Sequence, residues 1–356
     1  MKKNRSFVVF DGDKYYNDCV FEILKKRGEC KLEKYFKDNI YLLVSSIGDK
    51  KFDTKVCKLL RKVGFGHVGL SVLGGMVVNI EKTVKNIRSK TFDHYCGDIP
   101  DINWNVERFK YDLEMVNRDK PQGMKLDLWA RYFKRMFLQM IAWRFFSVRN
   151  KDDLKCKIKK LLKYTTCIKS SKWIRWDSRG LVENLDMIDC LPEEINVLVE
   201  YYPELHTPMD FVKLIQDLNI GNGRKFWISF DAGHFHRARS MYKCCENVEA
   251  EKWLMRFVLD PKIARLVRMI EISNLPKDGH NAHASVYDGI IDFRKIFSMV
   301  GWAIRNDRIS IPFFLVLEAS PLSWKELESQ TYDNFKKYLK ALTDDKMFLD
   351  LKDSYG

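Results

Sequence analysis

The chain has 356 residues, 46% of them hydrophobic and 13% aromatic, with no low-complexity tract, which excludes a disordered or fibrous protein and suits one large folded core. A formal net charge of +14 favours contact with phosphates, in nucleic acid or in a phosphorylated small molecule. No run approaches the roughly 18 apolar residues of a membrane span; the basic start leads into only Phe7 to Phe10, and the nine cysteines are scattered without CxxC spacing, so a cytoplasmic protein with reduced thiols and no membrane partner is expected.

Residues 1–40, with a strand-like run at Phe7 to Phe10 and a helical one at Cys19 to Lys26, read as an N-terminal extension packed on the domain that follows. From there short β-branched and aromatic runs alternate with helical patterns. The runs are Tyr41 to Ile47, His67 to Val72, a weaker one at Thr91 to Tyr95, Ala142 to Val148, Ile195 to Glu200, Phe226 to Asp231, Val267 to Ile272 and Phe313 to Glu318. Helical patterns cover Phe52 to Val63, Val77 to Ser89, Val106 to Met140, Asp152 to Tyr164, Thr207 to Leu218, Ala250 to Leu259, Ile291 to Arg305 and, last, Trp324 to Leu342.

The stretch 105–140, broken at Pro121-Gln122-Gly123, is longer than one crossover helix needs and reads as a helical insertion before the fourth strand. Strands separated by helices pair in parallel through right-handed crossovers, and eight such units close on themselves. The predicted fold is therefore α/β, a (β/α)8 TIM barrel over residues 41–356, with a doubly wound open sheet as the alternative.

In a barrel of this kind the chemistry sits at the C-terminal ends of the strands, where the loops open a shared cavity. Four consecutive predicted strands carry an acid at or next to their ends: Glu200, Asp231 and Glu318 last, and Glu271 penultimate. Any one of them has an ordinary reading as a helix cap or as partner to a surface arginine. Together on one rim they would repel strongly without a cation, and a divalent metal ion accounts for the set. Four of the seven histidines fall in the same region, His234, His236, His280 and His283, and Asp231 to His234 forms a DxxH run where a strand gives way to a loop. Gly221 to Lys225 precedes a strand and reads as a plain turn instead of a phosphate cradle.

Several of these segments bear a family likeness. Val197 to Pro203 (VLVEYYP) resembles the glutamate-ending strand of the xylose isomerase-like barrels, a superfamily of sugar isomerases, epimerases and endonuclease IV relatives. Phe230 to His234 (FDAGH) is similar to its aspartate–histidine strand end, His283 with Gly289 to Phe293 to its loop and helix start, and Val316 to Glu318 to its last strand end. The resemblance runs over about residues 190–320. It implies that Glu200, Asp231 and Glu318 bind metal, that Glu200 and Glu318 flank the reacting carbon and pass a proton across it, that His234 either contacts substrate or ligates a second ion, and that His283 contacts substrate; His236, beside His234, is grouped with them as a substrate-binding candidate.

Glu271 stands where the family offers a histidine to the metal. As a fourth ligand it would make an oxygen-rich site that leans toward Mn²⁺ or Mg²⁺. The endonuclease-like relatives use a histidine-rich zinc cluster, for which His94 is one candidate here, but no histidine follows it until His206. Three readings are thus carried forward: a metal-dependent isomerase or epimerase of a sugar-like substrate, an abasic-site phosphodiesterase acting on DNA with Zn²⁺, and an altered barrel with a binding or structural role. Nothing in the sequence sets an oligomeric state.

Overall fold

The computed structural model describes residues 39–45, 67–71, 93–99, 151–165, 167–178, 181–182, 185–189, 191–221, 223–275, 289–317 and 337–355. Eight strands lie within them: β1 (Ile40–Ser45), β2 (His67–Ser71), β3 (Asp93–Ile99), β4 (Lys172–Asp177), β5 (Ile195–Glu200), β6 (Phe226–Asp231), β7 (Val267–Ile272) and β8 (Phe313–Leu317). Each pairs in parallel with the next, and β8 pairs with β1, so the sheet closes into the predicted α/β barrel. The helices are α1 (Lys151–Tyr164), α2 (Leu185–Asp189), α3 (Pro208–Gly221), α4 (Ala232–Met241), α5 (Ala250–Leu259), α6 (Pro261–Ala264), α7 (Phe293–Arg305) and α8 (Asp345–Tyr355). None is long and apolar enough to cross a membrane.

Strand alternation sorts the side chains into two apolar cores. Val197, Val199, Phe230, Ile270 and Leu315 pack outward with Phe211 and Ile215 of α3 and Phe297 of α7. Leu43, Trp173, Leu198, Met269, Phe314 and Val316 fill the inside of the ring. Residues two positions on from an inward apolar residue share its face, which turns Arg175, Glu200 and Glu271 into the barrel at its C-terminal end. Gly301 of α7 lies where any Cβ would collide with the backbone carbonyl of Leu342, so this helix packs closely on the C-terminal segment. Trp302 of α7 stacks on Phe348 of α8, with ring centroids 4.0 Å apart.

Several expectations need correction. The fourth strand is Lys172–Asp177, in place of the predicted Ala142 to Val148, which lies outside the described residues. Its sequence KWIRWD alternates cations with tryptophans and so reads as a half-exposed segment, yet Trp173 through Asp177 are all buried, because both faces of a barrel strand are covered. The weak third strand starts at Asp93 and continues to Ile99. Asp231 leads straight into α4 instead of a loop, its side chain accepting the His234 N–H at 2.8 Å as an N-cap. The final helical pattern is described only from residue 337, and α8 follows it. The proposed extension, residues 1–40, is described only at 39–40, and the insertion at 105–140 lies wholly outside the described residues.

Candidate metal centre

Neighbouring strands deliver the first two groups. Glu200 ends β5 and Asp231 ends β6, with Glu200 in register with Ser229 on the adjoining strand. The N-cap contact of Asp231 starts α4 at Ala232 and brings His234, the third residue of the first turn, back over the strand ends. His234 Nδ1 lies 3.3 Å from Glu200 Oε1 and 3.8 Å from Asp231 Oδ2. Ligand atoms of all three residues fall within 4.8 Å of one another, and among the described residues no other group of three acid, thiol or imidazole donors does. All three residues are buried, with Asp231 fully so. The ring of Tyr202 covers the imidazole, its centroid 4.4 Å away.

The electrostatics suit a cation. Burial alone would push the His234 imidazole toward its neutral form, but Asp231 and Glu200 together outweigh that and raise its pKa to about 9. Its Nδ1 is nevertheless buried without a well-aligned hydrogen bond. Two carboxylates and one imidazole, converging at the C-terminal end of the barrel, match the donor chemistry of a divalent ion.

Glu271, expected as a fourth ligand, has other partners. Its Oε2 accepts from Arg175 Nη1 and its Oε1 accepts from Ser229 Oγ at 2.5 Å, in a fully buried setting. Arg175 also places its Nε 3.4 Å from Glu200 Oε2. One guanidinium on β4 therefore links the acids of β5 and β7 across the ring.

His236, grouped with His234 by sequence, is not brought to the trio. Two residues further along a helix it points about 200° away, and its Nε2 instead lies 3.2 Å from Arg239 Nη1. Burial and the Arg239 charge pull its pKa down to about 4, so it is a neutral packed residue in the physiological range. Glu318 and His283 lie outside the described residues, as does the side chain of His94.

No protein-family model matches the sequence, and no curated protein matches it. Solved structures do. The chain is similar to a xylose isomerase domain-containing protein from Salmonella typhimurium, at 10% identity and a TM-score of 0.38, over 87% of this chain and 96% of that one. It is similar to a xylose isomerase-like TIM barrel protein from Mycobacterium smegmatis in complex with magnesium, at 12% identity and a TM-score of 0.47, over 87% and 97%. A third is an L-ribulose 3-epimerase, at 12% identity and a TM-score of 0.39, over 88% and 95%. The barrel itself rests on its own closed strand order.

Sequence reasoning missed Arg175, Ser229 and Tyr202. The alternation within KWIRWD was the available signal for Arg175, since an arginine flanked at one residue by Ile174 and Trp176 must share the opposite face with Trp173. Within the run Gly221 to Lys225, Arg224 has a structural part: it donates to the carbonyls of Leu191, Pro192 and Ile195, tying the residues just before β6 to the start of β5.

Proposed function

We propose that this protein is a divalent-metal-dependent isomerase or epimerase of a sugar or sugar-like substrate. The observation that carries the reading is the buried trio of Glu200, Asp231 and His234 at the C-terminal end of a closed barrel. These three residues hold the ion. When bound, it supplies Lewis-acid polarisation of substrate carbonyl and hydroxyl oxygens.

The remaining roles belong to the chain's own groups. Glu200 Oε2 is held toward Arg175 and Oε1 toward His234, which fixes the carboxylate plane across the cavity mouth. In the proposed reaction Glu200 removes a proton from the substrate carbon, and an acid on the opposite side returns one to the neighbouring carbon or the other face. The resemblance assigns that second acid to Glu318, and assigns substrate contact to His283. Tyr202 shields the imidazole and gives the substrate ring an apolar surface to lie on. An oxygen-rich donor set supports Mn²⁺ or Mg²⁺ over Zn²⁺.

The test uses the protein stripped with chelator and reloaded with Mn²⁺ or Mg²⁺. It is incubated with a panel of aldoses, ketoses and their phosphates in D2O and followed by NMR. Metal-dependent deuterium incorporation at C2 or C3 is expected, and Glu200→Gln and Asp231→Asn abolish it. Cleavage of abasic-site duplex, with no exchange into any sugar, would replace this reading with the phosphodiesterase one.

A further inference from the structure

Glu271 and Glu200 are both acids at strand ends, and both are buried to a few per cent exposure or less. Their surroundings differ in one respect. Both carboxylate oxygens of Glu271 are occupied, one by the Arg175 guanidinium and one by the Ser229 hydroxyl. Glu200 turns one oxygen to Arg175 and the other to the imidazole of the trio.

We infer that Arg175 is the second cation of this site and limits it to a single divalent ion. The inference rests on the metal-site reading above. Among the described residues the acids that adjoin the trio at the strand ends are Asp177, Glu200 and Glu271, and a second ion drawing on Glu271 and the outer oxygen of Glu200 would compete with Arg175 for them. Arg175 already holds both. Its guanidinium stays protonated at any accessible pH, so no titration frees those oxygens. A dication brought to the same place would also meet a fixed positive charge in a poorly screened interior. The fork geometry of the guanidinium lets it span two acids from different strands, which a point charge on a lysine does less well.

Two consequences follow for chemistry. Among the described residues, Glu200, Asp231 and His234 would hold that one ion, and it would supply Lewis-acid polarisation to substrate oxygens. A site with one ion also lacks the clamp of two or three metals that phosphodiesterases use to hold an attacking and a leaving oxygen together.

The experiment is a metal count on the full-length chain. Apo-protein is dialysed against MnCl2 and measured by elemental analysis and by EPR, for the wild type, Arg175→Met and Arg175→Lys. Expected are one ion per chain in the wild type, one in Arg175→Lys, and two in Arg175→Met with the EPR signature of a spin-coupled pair. Two ions in the wild type overturn the inference, whether or not the variants fold. One ion in both the wild type and a folded Arg175→Met overturns the role of Arg175 while leaving the metal site intact. No ion in the wild type removes the metal-site reading and this inference with it.

Discussion

On the proposed function, metal binding by this site is coupled to a proton on His234. In the metal-free protein the imidazole is held protonated by Asp231 and Glu200 against the cost of burial, with a pKa of about 9. An ion can be ligated only by the neutral ring, so that proton must leave. At pH 7 about 1% of the molecules carry the neutral ring, which weakens the apparent affinity ~100-fold, or about 2.7 kcal/mol, relative to pH values above 9. Between pH 6 and pH 8.5 the dissociation constant for Mn²⁺ is expected to tighten about tenfold per unit, ~300-fold in all. Calorimetric titrations in buffers of different ionisation enthalpy should report about one proton released per ion bound near neutral pH. In His234→Gln, which keeps an acceptor but cannot be protonated, the slope and the proton release both disappear. A wild-type affinity that is flat over this range, or a release that persists in His234→Gln, would refute the coupling and with it the placement of His234 on the metal.

The same buried groups govern stability. Arg175→Met leaves Glu271 buried with only the Ser229 hydroxyl, and Glu271→Leu strips the cation of one acid, so each should cost about 3–5 kcal/mol in urea denaturation. The double variant should be destabilised by clearly less than the sum, and additivity within ~0.5 kcal/mol would show that the two do not act as a pair. The pH profile of the metal-free protein follows from two histidines shifted in opposite directions. The folded pKa of His236 is depressed to about 4, so the unfolded chain binds the extra proton and stability is lost as pH falls from about 6.5 toward 4. The folded pKa of His234 is raised, so its contribution is complete below about 6.5 and is lost as pH rises toward 9. Thermal melts from pH 5 to pH 9 should peak near pH 6.5, and saturating Mn²⁺ should flatten the alkaline side. A stability that rises from pH 7 to pH 9 without metal would contradict the charge state assigned to His234.

How far the sequence revealed this arrangement depends on where each residue's partner lies. β5 and β6 were legible because INVLVE and FWISFD are apolar throughout and stop at an acid, so strand and strand end were marked by the same residues. β4 was hidden, since Lys172, Arg175 and Asp177 dilute its apolar signal, and only the closed ring shows that its arginine faces other charges instead of water. In the DxxH run the sequence suggested a strand giving way to a loop, whereas the structure has a strand giving way to a capped helix. Its spacing works because Asp231 caps a helix and folds His234 back on itself, and the same helix carries His236 away.

Glu271 is the most instructive case. Its sequence neighbourhood, VRMIEI, marks a strand with an acid near its end just as INVLVE does, and nothing local separates the fate of Glu271 from that of Glu200. What separates them is how each meets Arg175, 96 residues before Glu271 in the chain: its Nη1 donates to Glu271, and its Nε forms an ion pair with Glu200 at 3.4 Å. Because a guanidinium cannot release its proton, that pairing is fixed at every pH the protein meets. The acid facing His234 is the one that belongs to the buried trio. Two glutamates near corresponding strand ends thus have different partners, one an imidazole and a guanidinium and the other a guanidinium and a hydroxyl, through a contact made only when the ring closes and β4 is brought within reach of β7.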